Sequence, residues 1–319
     1  MEAVRAVLDS WRLDPVVSVD RATSGTMNET FIVTTEQQRV VLRRHRRRDR
    51  RQVEHEHEVT AHTRGHGIPV PAAIPTPRGD LTVGQDGAWY SLFTFAHGRQ
   101  LDKDELTPAR ACAMGETLAR IHVALEDFPI VVSEQPAPTS DLQPVADTIR
   151  TLLERIDQRP VLVEQDLWAR QHLESKARWL QTATAPVWRP VPADAVQMGH
   201  GDYQETNLFF IEGEVADVID WDKAEACWPV DEVVRTLDLS FRLRPALCAA
   251  MIDGYRSVRG LSLDELDHSA ANYGYDRVHS HWLYEGIYER ADDRLRTFLK
   301  PGPFVPIADQ WKSLRSRLA

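Results

Sequence analysis

The chain has 319 residues, 42% of them apolar and 27% charged, with 38 Lys and Arg against 48 Asp and Glu for a formal charge of −10. That is a globular composition sized for about two domains, and three widely spaced cysteines without a C-x-x-C pair exclude a disulfide scaffold and point to a reducing, cytoplasmic setting. No run approaches about 18 apolar residues, and Glu2 and Asp9 interrupt the stretch a signal peptide needs, so neither a membrane span nor secretion is expected.

Val4, Val7, Leu8 and Trp11 recur at helical spacing and predict one short amphipathic helix ending before Asp14-Pro15. Three β-branched runs, VVSVDRA, ETFIVTT and RVVLRRH, then predict an antiparallel meander with SGTMN and EQQ as its connections. From Gln52 to about His66 the pattern is helical, and it stops at Gly65 and Gly67 before the breaker-rich IPVPAAIPTPRGD. LTVGQDGAWYSLFTF reads as a hairpin turning at Gln85-Asp86-Gly87.

After Gly98 helical segments dominate: ARACAMGETLARIHVAL, VADTIRTLLERI and DLWARQHLESKARWLQTAT. NLFFIEG and EVADVIDWD interrupt them as a second hairpin around Glu212-Gly213-Glu214. This change of character predicts an α+β chain with a small sheet lobe over 1–96 and a mostly helical lobe over 97–319. Charge divides along the same line. Residues 1–97 carry 13 basic and 12 acidic side chains, so the excess acid lies in the C-terminal two-thirds.

The second hairpin is flanked by His200-Gly201-Asp202-Tyr203-Gln204-Glu205-Thr206-Asn207 on one side and Ile219-Asp220-Trp221-Asp222 on the other. With only three asparagines in the chain, H-x-D-x-x-x-x-N is expected by chance about 0.01 times. The residue types suit phosphoryl transfer from a nucleotide. Asp202 can accept a hydrogen bond from an attacking hydroxyl, Asn207 can give a neutral oxygen to Mg²⁺, and Asp220 can give a charged one. Asp222 reads as a second ligand or a substrate contact.

These motifs resemble the aminoglycoside phosphotransferase and choline kinase group, a branch of the protein-kinase-like fold that is also similar to type II homoserine kinases and bacterial stress-response kinases. The resemblance implies a two-lobe fold with a small antiparallel-sheet N-lobe and a mostly helical C-lobe holding a catalytic β-hairpin. It implies an ATP- and Mg²⁺-dependent kinase with Asp202 as catalytic base, Asn207 and Asp220 as magnesium ligands and His200 bracing the loop. SGTMNETF falls where the family covers the nucleotide, so Ser24, Gly25, Thr26 and Asn28 would donate to phosphate. In VVLR, Arg43 or its neighbour Arg44 takes the place of the family's lysine, paired with Glu56; no lysine occurs before Lys103. WYSLFTFAHG takes the hinge position, where Phe93, Thr94, Phe95 and Ala96 would border the adenine.

No long activation segment follows Asp222, which favours a small-molecule hydroxyl acceptor over a protein, and the acidic C-terminal lobe favours an amine-bearing one. Trp282, Glu285 and Glu289 share a helix face late in the chain, where the family binds its acceptor. The run RRHRRRDRR reads as a solvated turn, because no aromatic side chains interleave it, so no nucleic-acid partner is expected. His62 and His66 share a helix face, but the sequence supplies no further ligand to close a zinc site. The competing class is a nucleotide-binding regulator without turnover.

Overall fold

In the structure, a computed structural model, residues 2–22, 28–45, 49–131 and 138–318 are described. Ser24, Gly25 and Thr26 lie outside them. α1 (Glu2–Leu8) precedes the expected meander of β1 (Val16–Arg21), β2 (Glu29–Thr35) and β3 (Arg39–His45). After α2 (Arg50–Gly65) come β4 (Ala73–Ile74), β5 (Val83–Gln85) and β6 (Ala88–Thr94), which complete an antiparallel sheet in the order β1-β2-β3-β6-β4, with β5 paired to β6. The period of two decides its faces. Val40 and Leu42 join Val33, Tyr90 and Leu92 under Val4, Val7, Leu8 and Trp11, while Arg43 turns to the opposite face, toward α2. Fully burying each aliphatic side chain stabilises by about 1.5–3 kcal/mol, so this stripe fixes which face of the sheet is covered.

Helices α3 (Pro108–Ala124), α4 (Gln143–Asp157) and α5 (Glu164–Leu180) follow. The chain then returns to strand structure in β7 (Gln197–Gly199), β8 (Leu208–Ile211), β9 (Glu214–Val218) and β10 (Glu225–Cys227), and ends with α6 (Pro229–Leu239), α7 (Pro245–Arg256), α8 (Leu263–His279), α9 (Trp282–Tyr288) and α10 (Ile307–Arg315). The expected hairpin turn at Glu212-Gly213 is present, with both residues at positive φ. The short β4 and the β7–β10 pair went unread in the sequence, because two or three residues carry no periodicity.

The fold is thus the expected α+β class. Two compact units divide the chain, Met1–Val132 with Pro192–Leu261, and Ser133–Val191 with Ser262–Ala319; residue 97 lies inside the first. In the first unit, α3 and α7 meet backbone to backbone. A Cβ on Gly115 would stand 2.0 Å from the Met251 carbonyl oxygen and one on Gly254 2.0 Å from that of Cys112, so both positions demand glycine. The second unit has its own core, in which Val145, Ile149, Leu152 and Ile156 of α4 gather with Leu173 and Val278. Within it the helix that carries Trp282 and Glu285 is short, and Glu289 lies just past its end. Ser280 turns extended at ψ 131°, and Ala291 takes φ 53° beyond the end of α9.

Candidate active site

Antiparallel pairing of β8 with β9 sets Leu208 opposite Val218, which brings the loop before β8 and the residues after β9 to one end of the hairpin. The main chain locks the two together, as the Ile219 N–H donates to the Asn207 carbonyl at 2.9 Å. His200 adds a second tie. Its Nδ1 accepts from the Asp202 N–H at 3.2 Å and its Nε2 donates to the Ile219 carbonyl at 3.0 Å, which requires a neutral ring. Burial lowers its pKa against the pull of Glu232, Asp202 and Asp220. Gly201 sits at φ 77°, and a Cβ there would fall 1.9 Å from the Lys223 carbonyl oxygen, so no other residue fits the turn into Asp202.

Glu232, buried on α6, organises the loop from beneath. Its carboxylate accepts from the backbone N–H groups of His200 at 2.9 Å and Gly201 at 2.6 Å, and lies 3.0 Å from His122 Nε2. Burial would raise its pKa, but these bonds and the neighbouring histidines hold it below the usual carboxylate range. Asp202 is likewise kept ionised. Burial works against its charge, but Arg235 at 2.5 Å and Lys223 at 2.8 Å lower its pKa, and Gln204 donates to it at 3.1 Å.

Asn207 donates its Nδ2 to the Asp202 carbonyl at 2.9 Å, which points its amide oxygen away from that carbonyl. Asp220 stands in the left-handed region at φ 68°. One amide oxygen and one carboxylate held at the same hairpin end are hard oxygen donors, a set that fits a Mg²⁺-type cation.

Arg43 connects the sheet to these acids. Its Nη1 is 2.6 Å from Glu56 on α2, its Nη2 bonds to Asp220, and Asp222 lies 4.0 Å away. Burial opposes its charge, yet Glu56, Asp220 and Asp222 together raise its pKa. Arg44 instead pairs with Glu29 at 2.5 Å on an exposed surface, so Arg43 is the arginine that faces the site. Asn28 donates to Asp222 at 3.2 Å. The structure therefore gathers Asn28, Arg43, Glu56, Asp202, Asn207, Asp220 and Asp222 in the first unit.

The remaining candidates divide. Phe93 stacks on His57 at 5.6 Å, and Phe95 lies beneath the Arg39 guanidinium at 3.9 Å. Thr94 is tied to Ala72 by its N–H and its hydroxyl, each at 2.9 Å, so that N–H holds the strand end. Asp217 fixes the segment that follows, accepting from the His97 N–H at 2.7 Å. Trp282 and Glu285 belong to α9 of the second unit, where Trp282 packs edge-on against Phe298 and Glu285 lies 3.7 Å from Arg290. Lys223, Arg235 and Glu232 were not singled out from the sequence as site residues. Their one signal was position, Lys223 as a rare lysine three residues after Asp220 and Glu232 with Arg235 on one face of the next helix.

The profile of the phosphotransferase enzyme family matches residues 18–266, which takes in both motifs and all seven gathered residues. The chain belongs to this family. Among its relatives, a homoserine kinase of Agrobacterium fabrum is 25% identical over 280 residues, covering 83% of this chain and 79% of its own length. A homoserine kinase of Paraburkholderia phymatum is 27% identical over 320 aligned positions, covering 96% and 93%. Solved structures agree in fold. An amicoumacin kinase in complex with AMP-PNP, Ca²⁺ and its antibiotic superposes with TM-score 0.65 at 13% identity, over 99% of this chain and 93% of that one. A microcompartment-associated aminopropanol kinase does so with TM-score 0.61 at 18% identity, over 98% and 96%. No helix among the described residues is long and apolar enough to cross a membrane.

Proposed function

We propose that the chain transfers the γ-phosphoryl group of ATP to a hydroxyl of a small, amine-bearing metabolite, with the nucleotide held by the lobe over 1–96 and the acceptor by the lobe over 97–319. The observation that carries this reading is the convergence of Asp202, Asn207 and Asp220 at one end of the β8–β9 hairpin, facing Arg43 and Glu56. Asp202 accepts the hydrogen bond of the attacking hydroxyl and orients its oxygen in line with the phosphorus. As the new O–P bond forms and the bond to the ADP oxygen breaks, the hydroxyl proton passes to the Asp202 carboxylate. Two cations hold that carboxylate at low pKa, so it serves mainly to position the hydroxyl and takes the proton late.

Asn207 and Asp220 would hold Mg²⁺, with Asp222 beside them. Bound there, the ion neutralises charge on the phosphates. Arg43, seated between Glu56 and Asp220, is the guanidinium placed to meet phosphate oxygens, and its planar fork suits them. Asn28 and the loop before it, with Ser24, Gly25 and Thr26, would cover the phosphates, and Phe93 to Phe95 would border the adenine.

The acidic balance of the residues after 97 supports a cationic acceptor. The relatives named homoserine kinase make an amino acid with a side-chain hydroxyl the first acceptor to try. The test is ADP release from Mg-ATP across hydroxylated amino acids, amino alcohols, aminoglycosides and neutral sugars. Turnover is expected on amine-bearing acceptors and at least about tenfold weaker on neutral sugars. Mg-ATP binding without turnover on any of them would favour the regulatory reading instead.

A further inference from the structure

His62 and His66 stand one turn apart at the C-terminal end of α2, and the chain leaving α3 runs past them through Ala124 to Asp127. One ligand atom from each of His62, His66 and Asp127 lies within 4.8 Å of the other two. The Nε2 of His62 is 3.1 Å from Asp127 Oδ1 and 2.9 Å from the carbonyl oxygen of Ala124. The Nδ1 of His66 is 2.9 Å from the His62 carbonyl, which makes that nitrogen a donor and leaves Nε2 with its lone pair. The two rings are 4.5 Å apart, and Phe128 packs edge-on against His62 at 5.2 Å as an apolar backing.

We propose that His62, His66 and Asp127 bind a divalent transition-metal ion of the zinc class. Two imidazoles and one carboxylate form a nitrogen-rich set that suits Zn²⁺ and its neighbours, whereas Mg²⁺ takes oxygens. Histidines at i and i+4 offer both nitrogens from one helix face. Three protein ligands leave a fourth position for water or for the Ala124 carbonyl. Ligands about 2.0–2.1 Å from a tetrahedral ion stand roughly 3.4 Å apart, so the present spacing has to close by at most roughly 1.4 Å. Rotamer changes can supply that closure, since His66 and Asp127 are exposed. The ion takes the place of the His62 Nε2 proton, which moves to Nδ1 of the same ring. It ties the end of α2, the helix that carries Glu56, to the end of α3.

The site stands apart from the hairpin residues and does not depend on the function proposed above. The experiment is a calorimetric titration of Zn²⁺ into the metal-stripped chain in excess Mg²⁺, so that oxygen-rich sites are already filled. One equivalent is expected to bind and to raise Tm by about 2 °C or more. The affinity should fall about tenfold or more in His66→Ala and in Asp127→Asn. Both side chains are exposed, so both variants keep the fold and remain informative. Zn²⁺ affinity unchanged in both variants, or no binding by the intact chain, overturns the proposal.

Discussion

Lys223 places its ammonium 2.8 Å from the carboxylate of Asp202, and Arg235 takes the other oxygen of the same group at 2.5 Å. Both cations favour the ionised form, which outweighs the opposite effect of burial. Lys223→Met removes one of them and so raises the Asp202 pKa, moving the acid limb of the kcat/KM profile to higher pH. Lys223 is 43% exposed, so the loss of the pair itself is modest, and kcat at pH 7 is expected to stay within about fivefold of the parent. A pH profile superimposable on the parent would show that Lys223 does not set the ionisation of Asp202.

Asp202→Asn keeps the size of the side chain and removes its charge and its capacity to take a proton. Turnover should fall by about 10²–10⁴-fold, with nucleotide affinity nearly unchanged, because the group acts on the acceptor. Single-turnover kinetics together with nucleotide titration separate the two effects. Unchanged kcat in this variant would remove Asp202 from the chemistry.

Several of these relations could be read from the sequence and others could not, for reasons of distance along the chain. HGDYQETN and IDWD were legible because rare residue types recur at fixed spacing around a turn, and local hydrogen bonds hold them there. The meander followed from alternation in VVSVDRA, ETFIVTT and RVVLRRH. The choice between Arg43 and Arg44 stayed open, because which of two adjacent side chains points inward depends on the sheet face that α1 covers. Nothing local announces that Arg235 reaches back 33 positions to Asp202, or that Asp127 comes to His62 across 65. Gly115 and Gly254 likewise matter only because two distant helices touch.

Arg43 neutralises Glu56, a buried carboxylate, in a pair 2.6 Å long. Arg43→Met leaves Glu56 without its guanidinium partner in the interior, and about 3–5 kcal/mol of stability should be lost. Adding Glu56→Gln removes the buried charge that Arg43 offset and should recover a large part of that loss, while nucleotide affinity stays low. Urea denaturation of the two single variants and the double variant measures the coupling. Strict additivity in that cycle would mean that the two residues do not act as a pair.

His45 and His57 both reach Ser91 Oγ through Nε2, at 3.0 and 2.9 Å, and both are buried. Burial, with Arg43 close by, pushes His45 down to about 2 and His57 down to about 4. Both values lie below the roughly 6.5 of an unfolded histidine, so under acid conditions the unfolded chain binds protons that the folded chain refuses. Stability is therefore fully present above about pH 6.5 and falls as the pH drops toward the folded values. Each ring costs up to about 1.4 kcal/mol per pH unit in that window. Melting curves from pH 8 to pH 4.5 should be level at the alkaline end and decline steadily from about pH 6.5. His57→Gln should flatten part of the decline, because it removes one of the buried histidines, among them His200, that stay neutral in the folded chain. A decline of the same slope in His57→Gln would place the acid sensitivity elsewhere in the chain.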